Sequence, residues 1–106
     1  MSNRVIGSQV LDVNEEGFLT DPSQWSKEIA TVIAHEEGVP ELTPAHWEVI
    51  DFCRSKAPEL GGKSPTLRQI TTGTTVTTKE LFKLFPKGPA KKVAKIAGLG
   101  KPEGCV

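Results

Sequence analysis

The residue with the clearest capacity for covalent chemistry is Cys105. It stands in the run Lys101-Pro102-Glu103-Gly104-Cys105-Val106, one residue from the end of the sequence. A thiolate is a nucleophile, and its reactivity follows exposure and local charge. The last residues of a domain are poorly ordered unless something ties them down. A thiol placed there can leave the surface and enter the cleft of another protein. Gly98, Gly100 and Gly104, with Pro102 among them, stop a helix and favour an extended arm. Lys101 favours the thiolate and Glu103 opposes it. The bland alternative is an incidental exposed cysteine, and the composition of the arm weighs against it.

The second cysteine, Cys53, follows Phe52 and lies one turn after Ile50 in an apolar helical pattern. A free cysteine in such a place behaves as a small hydrophobe, so Cys53 is expected in the core. Two cysteines make no disulfide framework, and zinc takes four ligands at short spacings. His35 and His46 fall near helix ends and are expected at the surface; His35-Glu36-Glu37 lacks a third ligand. There is no phosphate loop, no Gly-x-Ser-x-Gly and no acid–base constellation around Cys105. Neither a metal nor a cofactor is expected.

Charge sets further bounds. The chain has 106 residues, with 13 Lys and Arg against 13 Asp and Glu. Zero net charge and the lack of an arginine cluster argue against nucleic-acid binding. The charge is uneven, however. Lysines crowd the segment from Lys79 to Lys101 against one acid, Glu80, while acids dominate the first half. Lys91 and Lys95 are one turn apart on a helix. With Arg68 and Lys87 they are the candidate docking or anion patch; a solvated face is the ordinary alternative. No apolar run approaches a membrane span and no signal peptide opens the chain. Reduced thiols and these absences predict a cytoplasmic protein with no membrane partner.

The elements that must position Cys105 follow from caps and spacing. Arg4–Ile6 and Gln9–Val13 read as a hairpin around Gly7-Ser8. Asn14–Gly17 is a second turn, leading into Phe18-Leu19. Asp21-Pro22, Thr43-Pro44 and Ser64-Pro65 read as helix starts, each a capping residue followed by proline. The first helix carries Trp25, Ile29, Val32 and Ile33 as an apolar stripe. The second ends before Pro58, and the third ends at Gly73. Thr78 caps a fourth, with Leu81, Phe82, Leu84 and Phe85 inward. Gly88-Pro89 opens the fifth, with Val93, Ile96 and Ala97 inward and Gly98 as its left-handed stop. The reading is a mainly α (α+β) domain over 1–98, with about five helices and an N-terminal hairpin, followed by a flexible arm over 99–106.

One resemblance covers nearly the whole chain. Leu84-Phe85-Pro86-Lys87-Gly88-Pro89-Ala90-Lys91, then Lys95-Ile96-Ala97-Gly98-Leu99, Lys101-Pro102 and Gly104-Cys105-Val106 closely resemble the C-terminal motif of the DsrC/TusE sulfur-relay family. Glu16-Gly17-Phe18-Leu19, Trp25, Leu42-Thr43 with His46-Trp47, and Ser64-Pro65 with Arg68 extend the likeness upstream. The resemblance implies a small orthogonal helical bundle with a mobile arm, and a persulfide carried on Cys105. It implies an upstream sulfur donor and a downstream acceptor, of thiouridylase or sulfite-reductase type. The implied protein is a sulfurtransferase-type carrier, not a self-contained catalyst. Two departures stand out. Members that work with sulfite reductase carry a second arm cysteine where this chain has Ala94, which favours the one-cysteine carriers. The stretch from Arg68 to Phe85 is about seven residues shorter than in many bacterial members, as in some archaeal ones. Two alternatives remain beside the carrier: a gamma-type partner or regulatory subunit of a sulfur enzyme, and a helix-turn-helix-like nucleic-acid regulator.

Overall fold

The computed structural model describes residues 2–6 and 9–102, with backbone alone at 2–4, 6 and 22. Strands β1 (Ser2–Ile6) and β2 (Gln9–Val13) pair antiparallel, with Val5 opposite Val10. The hairpin turn at Gly7-Ser8 lies outside the described residues. Strand β2 alternates: Val10 is exposed while Leu11 and Val13 are buried, the period-2 signature of a ribbon laid on a core. The Asn14–Gly17 turn forms as expected. Asn14 Oδ1 accepts from the backbone N–H of Glu16 and Phe18, and Leu19 bridges back to Val13.

Five α-helices follow: α1 (Lys27–Glu36), α2 (Pro44–Lys56), α3 (Leu67–Gly73), α4 (Thr78–Leu84) and α5 (Pro89–Ile96). Proline starts α2 and α5 as expected. The other starts move. Asp21-Pro22 opens a single 3-10 turn, Pro22–Gln24, because the Asp21 carboxylate closes on Ser23 N and Oγ. Helix α1 begins only at Lys27, capped by Ser26, so Trp25 precedes it. Ser64-Pro65 also lies before its helix. The cap of α3 is Thr66, whose hydroxyl accepts from Gln69 N while Gln69 Oε1 accepts from Thr66 N, a reciprocal capping box. Thr77 and Glu80 repeat the device on α4, one residue earlier than the expected Thr78 cap.

Helix α5 packs on α1, α2 and α4, and Val93, Ala94 and Ile96 are fully buried there. Around them lie Val49, Ile50, Cys53, Ile70, Leu81 and Phe85. Two expected core residues face outward: Val32 is 40% exposed and Phe82 51%. Helix α4 is only two turns long. Leu81 and Phe85, at i and i+4, use its whole inward face, which leaves Phe82 to solvent. His46 is a further correction, since it is buried and not a surface residue. Its Nδ1 accepts from Thr43 N–H at 3.0 Å, so Nε2–H donates to Leu84 O at 2.9 Å. The ring also meets Phe85 edge-on at 5.0 Å. It ties the start of α2 to the end of α4, a role that its position near a helix end does not reveal.

Candidate functional site

Cys105 and Gly104, with Glu103 and Val106, lie outside the described residues. What the structure shows is the ground from which they depart. Helix α5 is capped at its C-terminus by Ala97, and Gly98 turns left-handed at φ +70°. An added Cβ on Gly98 would come within 2.5 Å of Trp25 Cδ1, so this glycine serves both the turn and the close approach. The indole Nε1 of Trp25 donates to Ile96 O at 2.8 Å. The Arg54 guanidinium donates to Ala97 O at 2.6 Å and lies 4.1 Å from the centre of the Trp25 ring. The last carbonyls of a helix have no partners within it and carry partial negative charge. Trp25 and Arg54 therefore cap the root of the arm. Burial holds the Arg54 pKa below its usual value.

Leu99 to Pro102, read from the sequence as the start of the arm, pack against the body. Leu99 is 2% exposed, and its N–H donates to Ala94 O at 2.9 Å. Gly100 N–H donates to Gly62 O at 3.0 Å, and Gly100 O accepts from Ser64 N–H at 3.0 Å. These bonds form a parallel bridge between Gly100 and Lys63. Lys101 Nζ is 3.3 Å from Glu16 Oε2, and Pro102 is buried. Residues 99–102 are thus a strap. A glycine-rich run is flexible only where nothing pairs with its backbone, and here the 62–64 loop supplies that pairing.

The candidate basic patch divides. Lys87 and Lys91 are exposed, and Lys87 sits at φ +59° in the turn between Pro86 and Gly88. Lys95 turns inward, its Nζ 5.5 Å from the centre of the Phe18 ring. Lys92 donates to Glu37 O. Arg68 belongs elsewhere. It lines a groove of about 650 Å³ with Glu59, Leu60, Lys63, Ser64, Thr66 and Gln69, and none of the three candidate lysines lines it. Lys63 and Ser64 border both this groove and the strap. The sequence reading missed them, and Gly61-Gly62, taken only as a loop, was the available signal. Arg54 was missed as well; nothing in its spacing separates it from a solvated arginine.

Cys53 is fully buried, as expected. Burial pushes its thiol up to about 12, while the nearby Ser64 hydroxyl acts weakly the other way. Ser64 Oγ is itself buried, against this thiol. Among those residues no cluster of three His, Cys, Asp or Glu could hold a metal. Nor is any helix there long and apolar enough to cross a membrane.

The chain belongs to the DsrC-like family. The family's model, described as DsrC like protein, matches residues 5–106. The sequence is 41% identical over 103 residues to the sulfurtransferase TusE of Escherichia coli strain K12, across 91% of this chain and 93% of that one. The fold is similar to that of Allochromatium vinosum DsrC, at TM-score 0.81 and 34% identity, covering 98% of this chain and 97% of the other. It is likewise similar to the oxidized gamma-subunit of the dissimilatory sulfite reductase from Archaeoglobus fulgidus. That comparison gives a TM-score of 0.80 and 32% identity, over 99% of this chain and 100% of the other.

Proposed function

We propose that this protein is a sulfur carrier of a relay, taking sulfane sulfur as a persulfide on Cys105 and passing it to a partner protein. The observation that carries this reading is the division of labour between the two thiols. Cys53 is sealed in the core with its thiol pushed up to about 12. Almost none of it is thiolate at neutral pH, which leaves Cys105 as the nucleophile. The likeness to a sulfurtransferase over nearly the whole chain supports the same conclusion.

The transfer balances without an oxidant. The Cys105 thiolate attacks the outer sulfur of a donor persulfide. The donor S–S bond breaks, the electron pair leaves on the donor thiolate, and a new S–S bond forms at Cys105. An acceptor thiolate repeats the step in the other direction. Ala94 stands where the resemblance places a second arm cysteine, and it is fully buried on α5. An internal disulfide that would expel the sulfur is therefore not available through residue 94, so delivery relies on the acceptor.

The moving part begins later than residue 99 in this proposal. With Leu99 to Pro102 strapped down, residues 103–106 reach about 13–14 Å at about 3.3–3.6 Å per residue. Freed from residue 99 onward, the arm would span roughly 26–29 Å on the same figure. The rest of the protein presents a docking face to a donor and an acceptor in the cytoplasm. Lys87 and Lys91 are its proposed basic groups, with the exposed Phe82 as an apolar contact; Lys95 turns inward and Arg68 lines a separate groove. The nucleic-acid reading loses ground, because Lys92, Lys95 and Lys101 are engaged within the fold.

The test is loading with polysulfide followed by peptide mapping. Sulfur that a reductant removes should map to Cys105, and Cys105→Ser should abolish it with the unfolding midpoint unchanged. Equal labelling of Cys53 in the folded protein would overturn the assignment.

A further inference from the structure

We propose that the solvent face of α4, with the turn that leads into α5, docks a partner protein whose surface has an apolar centre and an acidic rim. The inference names the chemistry of what binds the docking face, and it rests on the carrier reading. Phe82 is the anchor. Leu81 and Phe85 use the inward side of this two-turn helix and are fully buried, whereas Phe82 is 51% exposed. Lys79 lies three residues before Phe82 and one turn before Lys83, so the two lysines flank the ring. Both are exposed. Lys87, exposed as well, follows Phe82 by five residues, at most about 18 Å of chain. An aromatic anchor with charged groups around it is the form of an interface hot spot.

Two of the lysines stand where the fold does not favour them. Among the described residues, Lys87 is the only one besides glycines with positive φ, at +59°. Glycine takes that conformation without strain. It does so next door at Gly88, yet position 87 keeps a long cationic side chain. Lys91 lies in the first turn of α5, where the positive end of the helix dipole repels a cation. No acid in that turn offsets it. Its neighbour Lys92 has a structural task, donating to Glu37 O. Among the described residues, no ion pair engages Lys79, Lys83, Lys87 or Lys91. The one acid of the segment, Glu80, is occupied at the helix start, where its Oε1 accepts from the Thr77 N–H and hydroxyl at 3.1 Å. Local rules broken without a gain to the fold are expected at functional sites. Carboxylates on a partner would relieve the repulsion among these cations while its apolar centre covers Phe82. Zero net charge gives a nucleic acid no long-range pull toward the chain, which favours a protein surface.

The test uses the full chain and a defined probe, a helical peptide with a leucine stripe flanked by glutamates. Titrated into the isotope-labelled protein, it should shift the amides of residues 79–91 and leave those of α1 unchanged. Phe82→Ala should weaken it by roughly tenfold or more. An oligoglutamate of equal charge, which lacks the apolar centre, should bind the wild type no better than the peptide binds that variant. Lys87→Gly and Lys91→Glu should each weaken the peptide about two- to fivefold. Each should also raise the thermal midpoint, by roughly 1–8 °C, because each removes an unfavourable local arrangement. A lower midpoint in either variant would show that the lysine serves the fold and would overturn the proposal. Shifts centred on α1 or on the groove at Lys63 and Arg68 would overturn it too, as would oligoglutamate binding as tightly as the peptide. A single-stranded RNA of equal charge that binds this face more tightly than the peptide would make it a nucleic-acid surface instead. Polysulfide loading of wild-type Cys105 is read separately. If loading fails while the peptide binds as described, the carrier reading falls and the docking face stands; if loading succeeds and the face binds nothing, the reverse is true.

Discussion

Gly98→Ala probes the root of the arm, and Gly61→Ala is its matched control. Both glycines are left-handed, at φ +70° and φ +68°. Placing an L residue in that conformation costs about 1–2 kcal/mol, and this is all that Gly61→Ala should lose, because nothing lies within 4 Å of its added Cβ. At Gly98 the same Cβ comes within 2.5 Å of Trp25 Cδ1 and 2.9 Å of Trp25 Cβ and Cγ. These are the near end of a side chain, so the whole indole must move. Moving it breaks the Trp25–Ile96 hydrogen bond, about 1 kcal/mol. It also disturbs the Arg54 stack, about 0.5–1 kcal/mol. Gly98→Ala should therefore lose about 2.5–4 kcal/mol in urea unfolding, with an unchanged slope. Indole fluorescence should shift in the folded state of this variant and not in Gly61→Ala. Equal losses in the two variants would refute the argument that Trp25 and Gly98 interlock.

Two further outcomes follow from buried groups. The Cys53 thiol is raised in the folded protein, so its contribution to stability is complete below its ordinary value near 9 and is lost as pH rises toward about 12. The urea midpoint should fall across that window, by as much as roughly 4 kcal/mol in stability at its top. Cys53→Ala should remove that part of the fall, and an identical alkaline profile in the variant would contradict the assignment. His46→Ala deletes the bonds to Thr43 and Leu84 O and the edge contact with Phe85. It should lose about 3 kcal/mol, measured by denaturation, whereas a surface histidine would lose almost nothing.

Much of the bundle was legible because its signals are local. Thr43-Pro44 and Gly88-Pro89 mark true helix starts, and the apolar spacing of Val93, Ile96 and Ala97 finds the inward face of α5. Asp21-Pro22 and Ser64-Pro65 mislead for a physical reason. A proline after a capping residue suits a 3-10 turn or an extended lead-in as well as a helix, and the operative caps, Ser26 and Thr66, are not followed by proline. The buried role of His46 depends on Leu84, 38 residues away. The strap depends on a loop more than thirty residues upstream, through the bond between Ser64 and Gly100. Cys105 is a candidate on residue type and place alone. The groove lined by Lys63 and Arg68 was not legible, because the two meet only once α3 and the 61–64 loop are folded.

The strap changes what a carrier of this shape can do. A tether fully free from residue 99 samples a wide volume, and ordering it at an acceptor costs conformational entropy of about 1–2 kcal/mol per residue. Holding Leu99 to Pro102 in advance removes four residues from that cost. On the proposed carriage, a shorter free tether raises the effective concentration of the thiol at a partner docked near the strap. The price is reach. A shallow acceptor site is served by residues 103–106 with the strap closed. A deep channel requires the Gly100 bonds and the Lys101–Glu16 pair to open and Leu99 to leave the core. The ion pair is exposed and contributes little, so most of the resistance lies in burying Leu99 and in the Trp25–Arg54 cap behind it. If Cys105 carries sulfur as proposed, the depth of acceptor it can serve is governed at the root of the arm and not at the thiol. Trp25, Arg54 and Gly98 would then limit how far that sulfur travels.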